Sequence, residues 1–565
     1  MTFRFKIPRI FQNNTKWLER QQTSILSAAF VITVANIISS FSGLIRERLL
    51  IQTYFGSELS QQAYEAFQVA FQIPDMLFQL IVLGAVSAAF IPIFTKFKKK
   101  DEKKAFEVTS QFMNILILFF LISSVVAFIF SEPLTVLRTG QAFTNDQIRI
   151  ATNLTRIMLF AQLFFAVSNF LSGVLQSYQR FILPALAPIF YNLGILLGVY
   201  FFSSSVGIYA AGVGVVIGAF IHMMIQLPLA WKLGFRFNFS FKLINSGTKE
   251  FFKLIPLRVL TLSVSEIQNL ALAFFATSIG NLSFVTVKLA LRLMAIPIRL
   301  FGVPISQASL PFLSEESEEK DKKRFSQLIL QSLNQISFLA LPASVLLLIL
   351  RIPIVRLIFG AKNFPWKTTV MTGRLVAVMA VSVAVQAMVQ LLIRAFHALK
   401  DTKTPFFVAL ITTILYLIVS WVSVFILKID ASGIAIATTV AAFIEVFLFL
   451  ILLDRKITGL FLNKKFLLPQ LKMILSSFFM AVFLYLPFKI LDELIFDTSK
   501  TLELLYLTVT TSTIGMLVYT YFIVLFDVKE LRYFVDLVNK FGRWRKPLKE
   551  TSEVLIETSA EGDEI

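Results

Sequence analysis

The sequence predicts an all-α polytopic membrane protein of about fourteen transmembrane helices, arranged as two parallel six-helix repeats followed by two C-terminal helices. Three observations predict it. Of the 565 residues, 56% are hydrophobic and 15% charged, and the mean hydropathy of +0.76 is more apolar than a water-exposed surface permits. Predominantly apolar runs such as Phe112–Phe130, Leu183–Phe202 and Phe406–Leu427 recur along the chain, each long enough to cross the hydrocarbon core as a helix. Segments of the first half also return in the second at a nearly constant offset. A soluble enzyme is excluded.

Taken in order, the apolar stretches between charged or Gly/Pro/Asn-rich breaks place spans at 24–54, 65–95, 107–131, 150–177, 183–203, 206–231, 251–278, 281–313, 326–350, 368–397, 404–427, 431–453, 467–490 and 502–526. The basic amino end precedes the first apolar run by about twenty residues, so that run is expected to stay as a span and not to be cleaved. With that end in the cytoplasm, the loops on the same side include KFKKKDEKK (96–104), the 232–253 connector, KDKKR (320–324) and LKDTK (399–403). Cytoplasmic segments then hold 34 of the 53 Lys and Arg, outer loops 9 and spans 10. This asymmetry fixes the orientation and puts both termini inside. Arg351, Arg356, Lys362 and Lys367 in the ninth-to-tenth connection run against the trend without reversing it.

The expected organisation is a cytoplasmic basic N-terminus (1–23), an N-lobe of spans one to six (24–233), a C-lobe of spans seven to twelve (249–453), the two extra spans thirteen and fourteen (464–527), and a cytoplasmic basic helix with an acidic tail (528–565). The basic stretch 528–549 carries Lys529, Arg532, Lys540 and Arg543 between apolar positions, a spacing that suits an interfacial helix and equally a solvated tail.

The net charge of +19 belongs to topology and anionic membrane lipid, and nucleic acid is not an expected partner. With no cysteine, disulfides, thiol catalysis and cysteine-built metal sites are excluded. His222 and His397 are the only histidines and have no HExxH-like spacing, so no metal or other cofactor is expected. Coupling to an ion or to the membrane potential stays open.

The internal repeat is explicit in three places. AAFIPIFTKFKKKDEKKAF (88–106) matches QASLPFLSEESEEKDKKRF (307–325) at an offset of 219, LQSYQRFILP (175–184) pairs with AFHALKDTKTP (395–405) at 221, and IGAFI (217–221) pairs with VAAFI (440–444) at 223. Six spans per copy is an even number, so the copies share one topology, as in parallel-repeat transporters. Channels and membrane enzymes also use repeats, but the architecture favours a transporter that alternates access between two sides.

Charges inside spans are costly and mark cavities or partners. The informative set is Arg46, Glu47 and Arg48 late in span one, Glu65 at the start of span two, Arg258 and Glu266 in span seven, Lys288, Arg292 and Arg299 in span eight, Arg374 and Arg394 in span ten, and Glu445 in span twelve. Arginine dominates it, and a guanidinium fork matches two phosphate oxygens at once, so the expected substrate is anionic and phosphorylated. Arg46 and Arg292 lie eight and eleven residues from the outer ends of their spans, roughly 12 and 16 Å deep at a helical rise of about 1.5 Å. Belonging to different repeats, they are expected to grip one ligand. Arg48, two residues on, faces away from Arg46 and is expected to reach for headgroups, and Lys288 and Arg299 to do the same from the two ends of span eight. Arg258, Glu266 and Arg374 are further cavity candidates. Gly43, one turn before Glu47, allows a kink or a close helix approach.

The segment SGLIRERLLIQTYFGSELSQQAYEAFQVAFQIPDMLFQLIVLGAVSAAFIPIF (42–94) resembles the amino-terminal signature of the MurJ/MviN lipid II flippases, and KLALRLMAIPIRLFGVPISQASLPFLS (288–314) resembles that family's ADRLM-x-x-P…LLP-x-LS element. The resemblance extends over the fourteen-span plan. It implies a flippase that carries the undecaprenyl-pyrophosphate-linked peptidoglycan precursor, lipid II, from the inner to the outer leaflet of a bacterial cytoplasmic membrane, with cell-wall synthesis proteins as further partners. It also implies substrate-binding roles for Arg46, Glu47, Glu65 and Arg292, with the arginines on the pyrophosphate, Glu47 holding an arginine or titrating, and the last two spans receiving the polyprenyl tail. The sequence departs from the family pattern at Ser40, Phe78 and Gln79, where arginines are usual, at Leu83 for a glutamate and at Asp75 for an asparagine. Leu272 stands where part of the family has an acid implicated in sodium binding, which argues against sodium coupling. The competing readings are an exporter of another polyprenyl-linked oligosaccharide and a degenerate, non-transporting cell-wall scaffold. A membrane glycosyltransferase would need acid–base groups in large outer loops, and these loops are mostly short.

Overall fold

The computed structural model describes residues 25–83, 94, 97–98, 101–236, 246–280, 282–318, 322–457, 464–498 and 500–532, and among these the regular structure is helical throughout. The expected N-terminal segment 1–23 and nearly all of the basic tail lie outside the described residues. Among the described residues ten helices are long and apolar enough to cross a membrane, or eleven when the pair Trp366–Ala380 and Val383–Ala398, bent by 51°, is taken as one broken span. They coincide with spans three to seven and nine to fourteen. Large apolar side chains such as Phe119, Ile122, Phe201, Ile418, Phe483 and Leu517 remain exposed, as side chains facing lipid do.

Span one is the helix α1 (Ile25–Tyr54), which runs through Gly43 without a break in its assignment. Ser57 then accepts from the Ser60 amide at 3.3 Å and caps α2 (Glu58–Ala70). Span two continues through α3 (Gln72–Leu77) into a π turn at Phe78–Leu83. Beyond it come α4 (Glu102–Ile129), the short α5 (Ser131–Arg138) and α6 (Asn145–Ser177), whose start is held by a Thr144–Gln147 capping box. The helices α7 (Ile182–Val206), α8 (Tyr209–Met224) and α9 (Leu227–Lys232) close the first repeat.

The second repeat opens with α10 (Ser246–Ile279) and α11 (Ser283–Pro297), then a π turn at Ile298–Gly302 and α12 (Val303–Glu316). It continues through α13 (Lys323–Ile349), α14 (Arg351–Phe359), α15 (Trp366–Ala380) and α16 (Val383–Ala398). The remaining helices are α17 (Lys403–Trp421), which ends in a π turn at Val422–Ile426, α18 (Ser432–Lys456), α19 (Lys464–Ile490) and α20 (Thr501–Leu525).

The repeat is visible in local backbone geometry. The π turns that interrupt spans two and eight begin 220 residues apart, at Phe78 and Ile298. Gln179 and Lys400, 221 apart, both hold φ of 58°, and the reversal around each is closed by the same bonds: Arg180 N to Leu175 O and Asp401 N to Phe396 O, both 2.9 Å. Gly207 (φ 58°) and Lys428 (φ 50°) repeat the 221-residue spacing after spans five and eleven.

The described residues gather into two units, one within Met1–Leu293, Ile352–Met379 and Phe406–Ala441, the other within Met294–Arg351, Ala380–Pro405 and Ala442–Ile565. In the first, α7 and α8 meet backbone to backbone: a Cβ on Gly194 would lie 2.2 Å from the Gly218 Cα, and one on Gly198 2.4 Å from the Gly214 Cα. Two G-x-x-x-G faces therefore oppose each other, a pairing that small residues permit inside a membrane. A core of Phe78, Phe112, Phe170, Leu171 and Leu175 joins α4 and α6 to the π turn of span two. In the second unit, Phe338, Met473, Met480, Leu484, Tyr519 and Ile523 bind α19 and α20 to α13. The Tyr519 hydroxyl donates to Phe338 O at 3.0 Å, and Gln470 Nε2 to Asn334 Oδ1 at 2.9 Å.

Candidate substrate-binding site

Three helices of the first unit bring charges together. The turn Phe55–Ser57 folds α2 back on α1, so that Tyr64 and Gln68, one helical turn apart, face Glu47. Phe55 packs edge-on against the Tyr64 ring at 5.3 Å and fixes its direction. Glu47 is 1% exposed. Its carboxylate accepts from the Tyr64 hydroxyl and from Gln68 Nε2 at 3.1 Å, pairs directly with the Arg292 guanidinium of α11, and lies 3.7 Å from that of Arg46. Gln68 closes the ring, donating from Nε2 to the Tyr64 hydroxyl (2.7 Å) while its Oε1 accepts from Arg292 (3.4 Å). Arg46 is steadied on its other side by Asn192 of α7, whose Oδ1 accepts at 3.0 Å and whose Nδ2 donates to Ser42 Oγ at 2.8 Å. Gly43 faces the same amide, and a Cβ there would sit in ordinary contact, 3.8 Å from Nδ2, so the site does not require a glycine at this position.

A carboxylate this deep is tolerated only when fully paired. Here one anion serves two cations, and the site carries a net charge of +1. The arginine side chains keep 18% and 31% of their surface, so their outer edges stay open while the carboxylate is sealed. The arrangement preorganises two guanidinium forks and leaves a charge deficit that an anion fills.

The other candidates separate. Glu65, 4% exposed, accepts from the Phe284 amide at 3.2 Å and from Gln147 Nε2 at 3.1 Å. It thus caps the start of α11, where a carboxylate also meets the positive end of the helix dipole, and it positions the helix that carries Arg292. Glu266 of α10 joins Asp75 of α3 and Lys288 of α11 in a second group of mutually interacting charges. Lys288 therefore faces carboxylates and not headgroups. Arg374 is exposed and pairs with Asp430 at 3.1 Å, apart from both groups. The helix holds the backbone of Arg258, but its side chain lies outside the described ones. Arg48 differs from expectation: its NH1 donates to Leu357 O at 3.1 Å, one of the free carbonyls that end α14 and attract a cation. Phe78, in the place of a family arginine, belongs to the apolar core, and Leu272 is buried.

Tyr64, Gln68 and Asn192 are the partners that sequence reasoning missed. Their signal is weak but present, because a polar side chain interrupting a span such as 183–203 asks for a hydrogen-bond partner.

Duplicated bundles of apolar helices, extra C-terminal spans and a net-cationic cluster inside the membrane define a polytopic transporter. The sequence model described as lipid II flippase MurJ matches residues 51–522, and the chain belongs to that family. Relatives include a probable lipid II flippase MurJ of Thermotoga maritima, 29% identical over 76% of this chain and 85% of the relative. Another, from Bdellovibrio bacteriovorus, is 25% identical over 87% and 93%. Among solved structures, a lipid II flippase MurJ in an inward closed conformation superposes with a TM-score of 0.72 at 24% identity, covering 90% of this chain and all of the other. An inward-facing multidrug resistance MATE family transporter of the MOP superfamily gives 0.61 at 13% identity, covering 73% and 94%. These last two likenesses concern the fold.

Proposed function

We propose that the protein is a lipid II flippase, carrying the polyprenyl-pyrophosphate-linked peptidoglycan precursor from the inner to the outer leaflet of a bacterial cytoplasmic membrane by alternating access. The observation that carries the reading is the buried Glu47 holding Arg46 and Arg292 with one positive charge to spare. Arg46 and Arg292 bind the pyrophosphate through their open edges. Glu47, Tyr64 and Gln68 orient them, and Glu65 positions α11 as its cap. The two lobes (24–233 and 249–453) carry the alternating motion, spans thirteen and fourteen receive the polyprenyl tail, and the cytoplasmic placement of both termini follows from the distribution of basic residues. Cell-wall synthesis proteins are its expected neighbours.

The test is outer-leaflet accessibility of lipid II in cells that rely on this protein alone. Accessible lipid II with wild type supports the reading, and its absence at normal expression overturns it.

A further inference from the structure

The end of α1 that the basic residues orient outward is fastened to the second repeat by two bonds that answer each other. Arg48 of α1 donates from Nη1 to Leu357 O at 3.1 Å, and Asn363, in the turn between α14 and α15, donates from Nδ2 to Gln52 O at 2.9 Å. Leu357 and Gln52 belong to the last turns of α14 and α1, where carbonyls have no partner within their own helix. Each helix end is thus capped by a side chain from the other repeat. The neighbouring Phe55 and Phe364 rings, both buried, meet at 5.7 Å. Phe55 also packs edge-on against Tyr64 at 5.3 Å, and the Tyr64 hydroxyl donates to Glu47. A continuous line of packed side chains therefore runs from Phe364 to the carboxylate that holds Arg46 and Arg292.

We propose that Arg48, Asn363 and the Phe55–Phe364 contact form an outer clasp between the repeats, which parts to release the carried lipid and closes again to reset the arginine site. The chemistry of the contact suits repeated opening, because Gln52 and Asn363 are exposed and water replaces a bond between them at small net cost. Closed, the clasp presses Phe55 on Tyr64 and keeps that hydroxyl on Glu47. Parting removes the support behind Phe55, so the outer side opens and the hold on the arginines loosens together. The inference rests on the flippase reading and deepens it by naming the contact that gates release.

The chain has no cysteine, so an introduced pair is unique. A Cβ on Gly56 would lie 3.7 Å from Asn363 Nδ2, and both positions are exposed. Gly56→Cys/Asn363→Cys is therefore tethered in cells by a short bifunctional thiol reagent that a reductant cleaves, and outer-leaflet accessibility of lipid II is read before and after. Tethering is expected to lower accessibility by about tenfold or more, reductant to restore it, and each single-cysteine variant to keep the activity of its untreated form. Undiminished transport by the tethered pair, failure of the tether to form, or an equal loss in the single variants overturns the clasp. Should the untreated pair itself fail to transport, labelling of Phe364→Cys by a membrane-impermeant thiol reagent is read instead. Adding Arg48→Ala is expected to speed that labelling about tenfold, as loss of a charge-assisted bond implies, and an unchanged rate overturns the clasp. Wild-type protein that leaves lipid II inaccessible overturns the flippase reading, while the labelling still decides the clasp.

Discussion

Glu65 and Asp401 show how far a single carboxylate can reach through the backbone. Removing the Glu65 carboxylate leaves the buried Phe284 amide without its acceptor and takes from Gln147 Nε2 one of its two, the other being Gln62 O at 3.3 Å. Glu65→Ala is expected to cost about 1–3 kcal/mol in thermal unfolding, with Glu65→Gln milder because one acceptor remains; equal losses in the two variants would contradict the capping role. Asp401 caps α17 through the Lys403 and Thr404 amides, both at 3.0 Å, and pairs with Lys456 at 2.5 Å. Burial acts to raise its carboxyl, but the hydrogen bonds from Lys456 and Thr404 outweigh that and lower it to about 2. A carboxyl held below its unfolded value contributes stability that is fully present above about pH 4, and this is lost as pH falls towards 2. Wild type should therefore lose stability over that window more steeply than Asp401→Asn; parallel pH profiles of thermal unfolding would contradict this. Neither role was legible in the sequence, because each depends on which amide lies across the fold. The charges themselves were legible as costly and therefore meaningful, and Arg46, Glu47 and Arg292 were singled out. That Glu47 is the hub was not, since its partners come from helices far apart in the chain.

At the scale of elements, apolar runs foretold the helices well and their interruptions poorly. Spans two and eight read as continuous, yet each contains a π turn, and span ten bends at Ala380. Such breaks arise where packing overrides the local helix register, which periodicity does not report. The glycines facing each other across α7 and α8 were likewise unread, although G-x-x-x-G stands in both segments. Gly194→Val places side-chain atoms inside the Gly218 backbone and is expected to split the pair, lowering stability by about 1–3 kcal/mol; a stable variant would mean the two helices separate freely. The reversals at Gln179 and Lys400 give the opposite prediction. Each holds a left-handed backbone that a side chain resists, so Gln179→Gly and Lys400→Gly should each raise stability by about 0.5–1 kcal/mol, checked by melting in detergent. A drop at both positions would contradict the strain.

For the whole molecule, the duplication was legible as three sequence matches and is written again in paired backbone geometry at the same spacing. The sign of the substrate was legible too, since arginine inside a membrane points to an anion. The second, acid-rich group was not, because Asp75, Glu266 and Lys288 become one feature only when α3, α10 and α11 are side by side. The central claim is that the Glu47-held pair of arginines grips the pyrophosphate of lipid II. It is tested most directly by the outer-leaflet accessibility of lipid II in cells depleted of their own flippase and supplied with Arg46→Ala or Arg292→Ala. The account predicts that each variant reaches the membrane at wild-type level and leaves lipid II inaccessible from outside; wild-type accessibility with both variants would contradict it.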